Sequence, residues 1–174
     1  MSYFAVAVAK SPSGWSADEL DLGRPSDLSD VEEVAELLRD LDSDATVSLL
    51  FVEVDDEYLA ILRLDEGEDL RVFGSDAAFV DESPLGAVLL GEEDRPGPID
   101  LPDEDFESDE EYTDDPPAPT DDVEPVGDAD LLADLGISGA KLRALVAAEG
   151  MMPSDVTAEI CTILGVGDEV EELR

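Results

Sequence analysis

The chain of 174 residues carries 48 acidic and 9 basic side chains and no histidine. Its formal charge of −39 repels nucleic acid and anionic membranes and attracts basic surfaces. The absence of histidine excludes Ser-His-Asp and Cys-His catalysis, and the single cysteine, Cys161, excludes an internal disulfide or a multi-cysteine zinc site.

Apolar side chains make up 43% of the residues, enough for a core. Residues 3–9 (YFAVAVA) predict a strand, closed by the turn Lys10-Ser11-Pro12-Ser13-Gly14. Residues 15–22 alternate loosely and predict an irregular edge strand. Leu28, Val31, Val34, Ala35, Leu38 and Leu41 then form one apolar stripe at helical spacing. Ser29 and Glu32 stand at capping-box spacing, and the acids around them favour the positive end of a helix dipole, which predicts a helix over residues 29–41. Residues 46–54 (TVSLLFVEV), 58–64 (YLAILRL) and 70–73 predict three strands. Their short acidic connections make the pairing antiparallel, because parallel neighbours require a long crossover. Residues 75–90 hold two helical pieces split by Pro84. The expectation for residues 1–91 is an α+β domain, a small antiparallel sheet with a covering helix.

Between Glu92 and Glu124 sixteen acids stand against one base, and residues 92–125 hold seven of the eleven prolines. Like-charge repulsion and proline predict an acidic, disordered linker over residues 92–126. It reads either as a solvated spacer or as an acidic arm that binds a partner. In the second reading the partner-binding residues are Asp103, Asp105, Phe106, Glu107, Asp109, Glu110, Glu111 and Tyr112. The acids supply attraction, and Phe106 and Tyr112 anchor on a basic, apolar groove.

Residues 127–174 predict a short helical unit. Asp128 caps a helix over residues 129–135 that ends at Gly136, and Ser138 opens a second that stops at Gly150. Ser154 opens a third, striped by Val156, Ile160, Ile163 and Leu164, and residues 168–173 add a last turn. Helices this short must pack on one another or on the sheet.

Few residues carry chemistry. Cys161 falls on the apolar side of the third C-terminal helix and reads as a small buried hydrophobe. Asp103, Asp105 and Glu107 alternate as in a calcium loop, yet position six is Ser108 and position twelve is Asp114, which departs from the EF-hand pattern. Asp55 and Asp56 belong to a turn. Gly74-Ser75-Asp76 follows a strand and opens a helix, so Ser75 reads as an N-cap or, alternatively, as part of an anion cradle. The bases Lys10, Arg24, Arg39, Arg63 and Arg71 are scattered, without the footprint of a nucleic-acid site. No catalytic, cofactor-binding or metal-ligating residue is expected. No apolar run approaches the ~18 residues of a membrane helix, and the N-terminus lacks a secretory leader pattern, so a cytoplasmic protein is expected.

Five features share an order along the chain. They are YFAVAVAK followed by Gly14-Trp15, LLFVEVDDEYLAILRLD, VFGSDAAFVDESPLGAVLLGEED, the Asp-rich linker, and DADLLADLGISGAKLRALVAAEGMMPSD. This order resembles the actinobacterial tRNA adenosine deaminase-associated protein family over essentially the whole chain. The resemblance implies association with the enzyme that converts the wobble adenosine of tRNA to inosine, an association named for gene neighbourhood. It brings no catalytic residues, and the zinc and proton-shuttle residues of the deaminase are absent here. The implied function is that of a non-catalytic acidic accessory protein that binds or regulates the deaminase. The alternatives are a generic interaction module with an unrelated partner and a small-ligand-responsive regulator.

Overall fold

A computed structural model of the chain describes residues 2–91 and 125–173. The elements run β1 (Tyr3–Ser11), β2 (Gly14–Glu19), α1 (Val31–Leu41), β3 (Val47–Val54), β4 (Tyr58–Asp65), β5 (Asp69–Gly74), α2 (Ala78–Glu82), α3 (Pro84–Leu90), β6 (Val126–Gly127), α4 (Gly139–Val146), α5 (Pro153–Leu164) and α6 (Gly167–Glu172). The strands form one antiparallel sheet in the order β2-β1-β3-β4-β5-β6. The fold is α+β.

Successive side chains of a strand point to opposite faces, and here both faces are apolar. Leu50, Val52, Ala60, Leu62 and Val72 face α1, α2 and α3, where Val34, Leu38, Phe79, Leu85 and Leu89 cover them. Val6, Val8, Leu49, Phe51, Ile61 and Phe73 face the other way, onto Leu131, Leu132, Leu142, Val156, Ile160 and Val166. The C-terminal helices therefore pack on the sheet and complete a three-layer structure. Cys161 is buried in that second core.

The hairpins follow from left-handed turn residues. Asp55 and Asp56 have φ of 50° and 59°, and Glu66 and Gly67 have 51° and 76°, the conformation that matches the twist of two antiparallel strands. Aspartate tolerates that region better than most residues. The Asp55 carboxylate also accepts the Ser2 N–H at 2.7 Å and ties the start of β1 to this turn. On the first helical layer, Tyr58 stacks on Phe79 with ring centroids 5.0 Å apart and donates to the Glu82 carboxylate. That hydrogen bond is the main reason its phenol is pushed up to about 12.

Three local expectations are corrected. The α1 cap lies one residue later than the Ser29–Glu32 spacing predicts: Asp30 accepts the Glu33 N–H, and Glu33 reaches back to the Ser29 N–H. Ser75 is not a helix cap. Its hydroxyl is buried and accepts the Leu59 N–H at 3.0 Å, and its own N–H donates to the Leu59 carbonyl, so it extends the β4–β5 pairing. Its N–H is thus unavailable to an anion. Residues 129–135 form turns and a single 3-10 turn (Ala133–Leu135) rather than an α-helix, with Asp128 accepting the Asp130 N–H.

β6 is two residues long and is held to β5 by the pairs Phe73–Gly127 and Gly74–Val126. Gly127 has φ of +83°, and a Cβ there would collide with the Val72 carbonyl. Gly127→Ala should therefore loosen the start of the C-terminal layer and destabilise the fold by about 1–3 kcal/mol. Urea unfolding followed by circular dichroism reads this directly. An unchanged midpoint would show that β6 pairing contributes little.

Candidate protein-interaction surface

Arg63 sits on β4 at a position whose neighbours on the same face, Leu59 and Ile61, are core residues. It is 3% exposed. A guanidinium so deeply placed must have its N–H groups matched. Its Nε donates to Asp65 Oδ1 at 3.0 Å and its Nη2 to Asp134 Oδ2 at 2.8 Å. Its Nη1 donates to Asp134 Oδ1 and to the Leu131 carbonyl. The Asp134 contact is thus two-pronged, the geometry that favours arginine over lysine.

Arg71 is the cross-strand partner of Arg63. Two like charges side by side on a sheet repel unless something stands between them. Asp65 does so, with one oxygen on Arg63 and the other on Arg71 at 2.8 Å, while Arg71 also approaches Asp128 at 3.7 Å. Two arginines of the sheet and two aspartates of the C-terminal segment therefore close around Asp65. The hydrogen bonds from Arg63 hold the Asp134 carboxyl below its usual value, and Asp134 raises the Arg63 pKa.

This network fastens the layers, and it also shapes the outer surface. Arg39 is taken up as well, by Glu32 at 3.4 Å and by the Gly67 carbonyl. Arg39, Arg63 and Arg71 thus each form ion pairs within the chain. Lys10 lies over the Trp15 ring, 5.8 Å from its centroid. Much of the scarce positive charge is spent internally, and the acids are left facing solvent. Glu36, Asp40, Asp44, Asp56, Glu57, Glu68, Glu159, Glu169 and Glu172 are all exposed. The resulting field is negative, and it favours basic partners.

The residues expected to bind a partner, Asp103, Asp105, Phe106, Glu107, Asp109, Glu110, Glu111 and Tyr112, lie outside the described residues, as does the calcium-like spacing beginning at Asp103. Where their segment leaves and re-enters the fold is defined. A Cβ on Gly74 would meet both Leu90, at the end of α3, and Val126, at the start of β6. The chain departs and returns at one place, on the β5–β6 edge. Among the described residues no group of three or more His, Cys, Asp or Glu can hold a metal ion, and no helix is long and apolar enough to cross a membrane. The Arg63 network escapes a reading by spacing, since Arg63 and Asp134 are 71 positions apart. Its one local signal is an arginine on an apolar strand face.

These features define an acidic α+β protein whose described surface is rich in exposed carboxylates. The chain belongs to the Rv3753c-like tRNA adenosine deaminase-associated protein family, whose model matches residues 3–167. That description is of a protein associated with the deaminase and not of the deaminase. No curated protein and no solved structure matches the chain.

Replacing Asp134 by Asn tests the fastening. Asp134 is well exposed, so screening limits the loss to about 1 kcal/mol at neutral pH. Its folded pKa lies below the ordinary 3.8, so its contribution is present above about pH 4 and is lost as pH falls through the folded value. The stability gap between the native chain and Asp134→Asn should be constant from about pH 5 to 8 and close below about pH 4. Denaturant melts across that range check it.

Proposed function

We propose that this chain is a non-catalytic, cytoplasmic accessory protein that binds the tRNA adenosine deaminase and limits its access to RNA. The observation that carries the reading is the charge of −39 on a member of a deaminase-associated family, with Arg39, Arg63 and Arg71 engaged in ion pairs within the chain. An enzyme that acts on tRNA presents a basic surface to the phosphates. An acidic protein can occupy that surface in competition with RNA, with the folded layers supplying the specificity that charge alone does not. The absence of histidine supports a role outside catalysis. Residues 103–112 are the first candidates for contact, because acid density and two aromatic side chains coincide there.

Co-purification with the deaminase at about 0.1 M and about 0.5 M salt, for the native chain and for one lacking residues 92–124, tests this. Because Leu90 and Val126 both reach Gly74, a short glycine-serine bridge can replace the deleted segment. A complex that is lost at high salt and lost with the deletion places the contact on the acidic segment. A complex that survives both places it on the folded layers. No complex at either salt concentration overturns the proposal and leaves the partner to be sought elsewhere.

A further inference from the structure

Among the described residues, the β2 edge of the sheet, at the end opposite β6, is unpaired. β2 pairs with β1 on one side only. The Leu20 N–H donates to the Ala5 carbonyl at 2.9 Å, which fixes the alternation of the ladder. In that register the hydrogen-bonded pairs are Ala7–Asp18, Ala9–Ser16 and Ser11–Gly14. The N–H and C=O groups of Trp15, Ala17 and Glu19 consequently point away from β1, and among the described residues nothing bonds to them. Three outward donors and three outward acceptors in a row form a template for another strand.

The charge around this template selects its occupant. Asp18 and Glu19 are exposed on β2 itself. The element of the second helical layer that packs against β2 is α6, whose Asp168, Glu169, Glu171 and Glu172 are also exposed. A second copy of this chain is disfavoured, because edge-to-edge pairing would bring these acids together on two molecules of charge −39 each. We infer that the β2 edge docks a basic, extended segment of a partner protein by strand addition. The backbone groups of Trp15, Ala17 and Glu19 supply the hydrogen bonds; Glu19 and the α6 acids lie toward the partner's basic side chains on the face of the second core, and Asp18 toward those on the opposite face.

This adds a contact on the folded layers to the function proposed above, and rests on that reading only in taking the partner to be a protein. Its test uses a peptide, so its failure is separate from failure of the deaminase to co-purify. The full chain is titrated at low salt with a blocked six-residue peptide alternating arginine and valine, and amide hydrogen exchange is read by NMR. The Ala17 and Glu19 amides should slow by about tenfold or more, while the Asp18 amide, already bonded to β1, stays unchanged. Trp15, the only tryptophan, should report the same event by fluorescence. Ala17→Pro removes an outward N–H that β1 does not use and should abolish the slowing. Asp18→Lys combined with Glu19→Lys leaves the backbone intact and should weaken binding by about tenfold or more. An alternating glutamate and valine peptide should have no effect. The inference is overturned by unchanged Ala17 and Glu19 exchange at millimolar peptide, by equal slowing with the acidic peptide, or by slowing that accompanies dimerisation in light scattering.

Discussion

The structure depends on one constraint: β3 and β4 are buried on both faces. A strand such as VSLLFVEV, with Leu49 and Phe51 on one side and Leu50 and Val52 on the other, cannot leave either side in water. Burying a Leu or Phe side chain contributes about 1.5–3 kcal/mol, so a bare face of this sheet would forfeit several such terms. The α1–α3 layer covers one face only. The second cover comes from beyond the acidic segment, and the return of the chain through β6 is what brings it there.

Electrostatics sets how that cover is registered. Apolar packing tolerates sliding, whereas the two-pronged Arg63–Asp134 contact and the Leu131 carbonyl accept one alignment. The buried guanidinium need not add much net stability, since its desolvation offsets much of the attraction. Its contacts with Asp134 and Leu131 tie the C-terminal layer to β4. The acids left at the surface repel one another, a strain that salt relieves and that the two apolar cores must withstand.

Much of the fold is legible in the residue pattern. β1, β3, β4 and β5 fall within a residue or two of their alternation, Pro84 separates α2 from α3, and Ser138 caps α4 by accepting the Lys141 N–H. The misses have physical causes. A serine after a strand looks like a cap, but Ser75 finds a better partner in the Leu59 N–H once β4 lies beside it. Ser29 and Asp30 both suit a cap, and the choice of Asp30 rests on where Val31 enters the core. β6 is too short to show periodicity. The unbroken apolar run of β3 already implies cover on two faces, a signal the single covering helix did not use. The candidate site is the least legible part. Charge and two aromatics single out residues 103–112, which lie outside the described residues, whereas the open groups of β2 emerge only from the sheet register.

The meeting of Leu90 and Val126 at Gly74 has a consequence for the integrity of the molecule. Both halves of the polypeptide contribute to a single hydrogen-bonded sheet and a shared core. Cleavage between residues 92 and 124 is therefore expected to leave two fragments held by the β5–β6 pairing and the second core. The covalent link serves mainly to keep them at high effective concentration. Loss of the acidic segment and loss of the fold are on that expectation separable events.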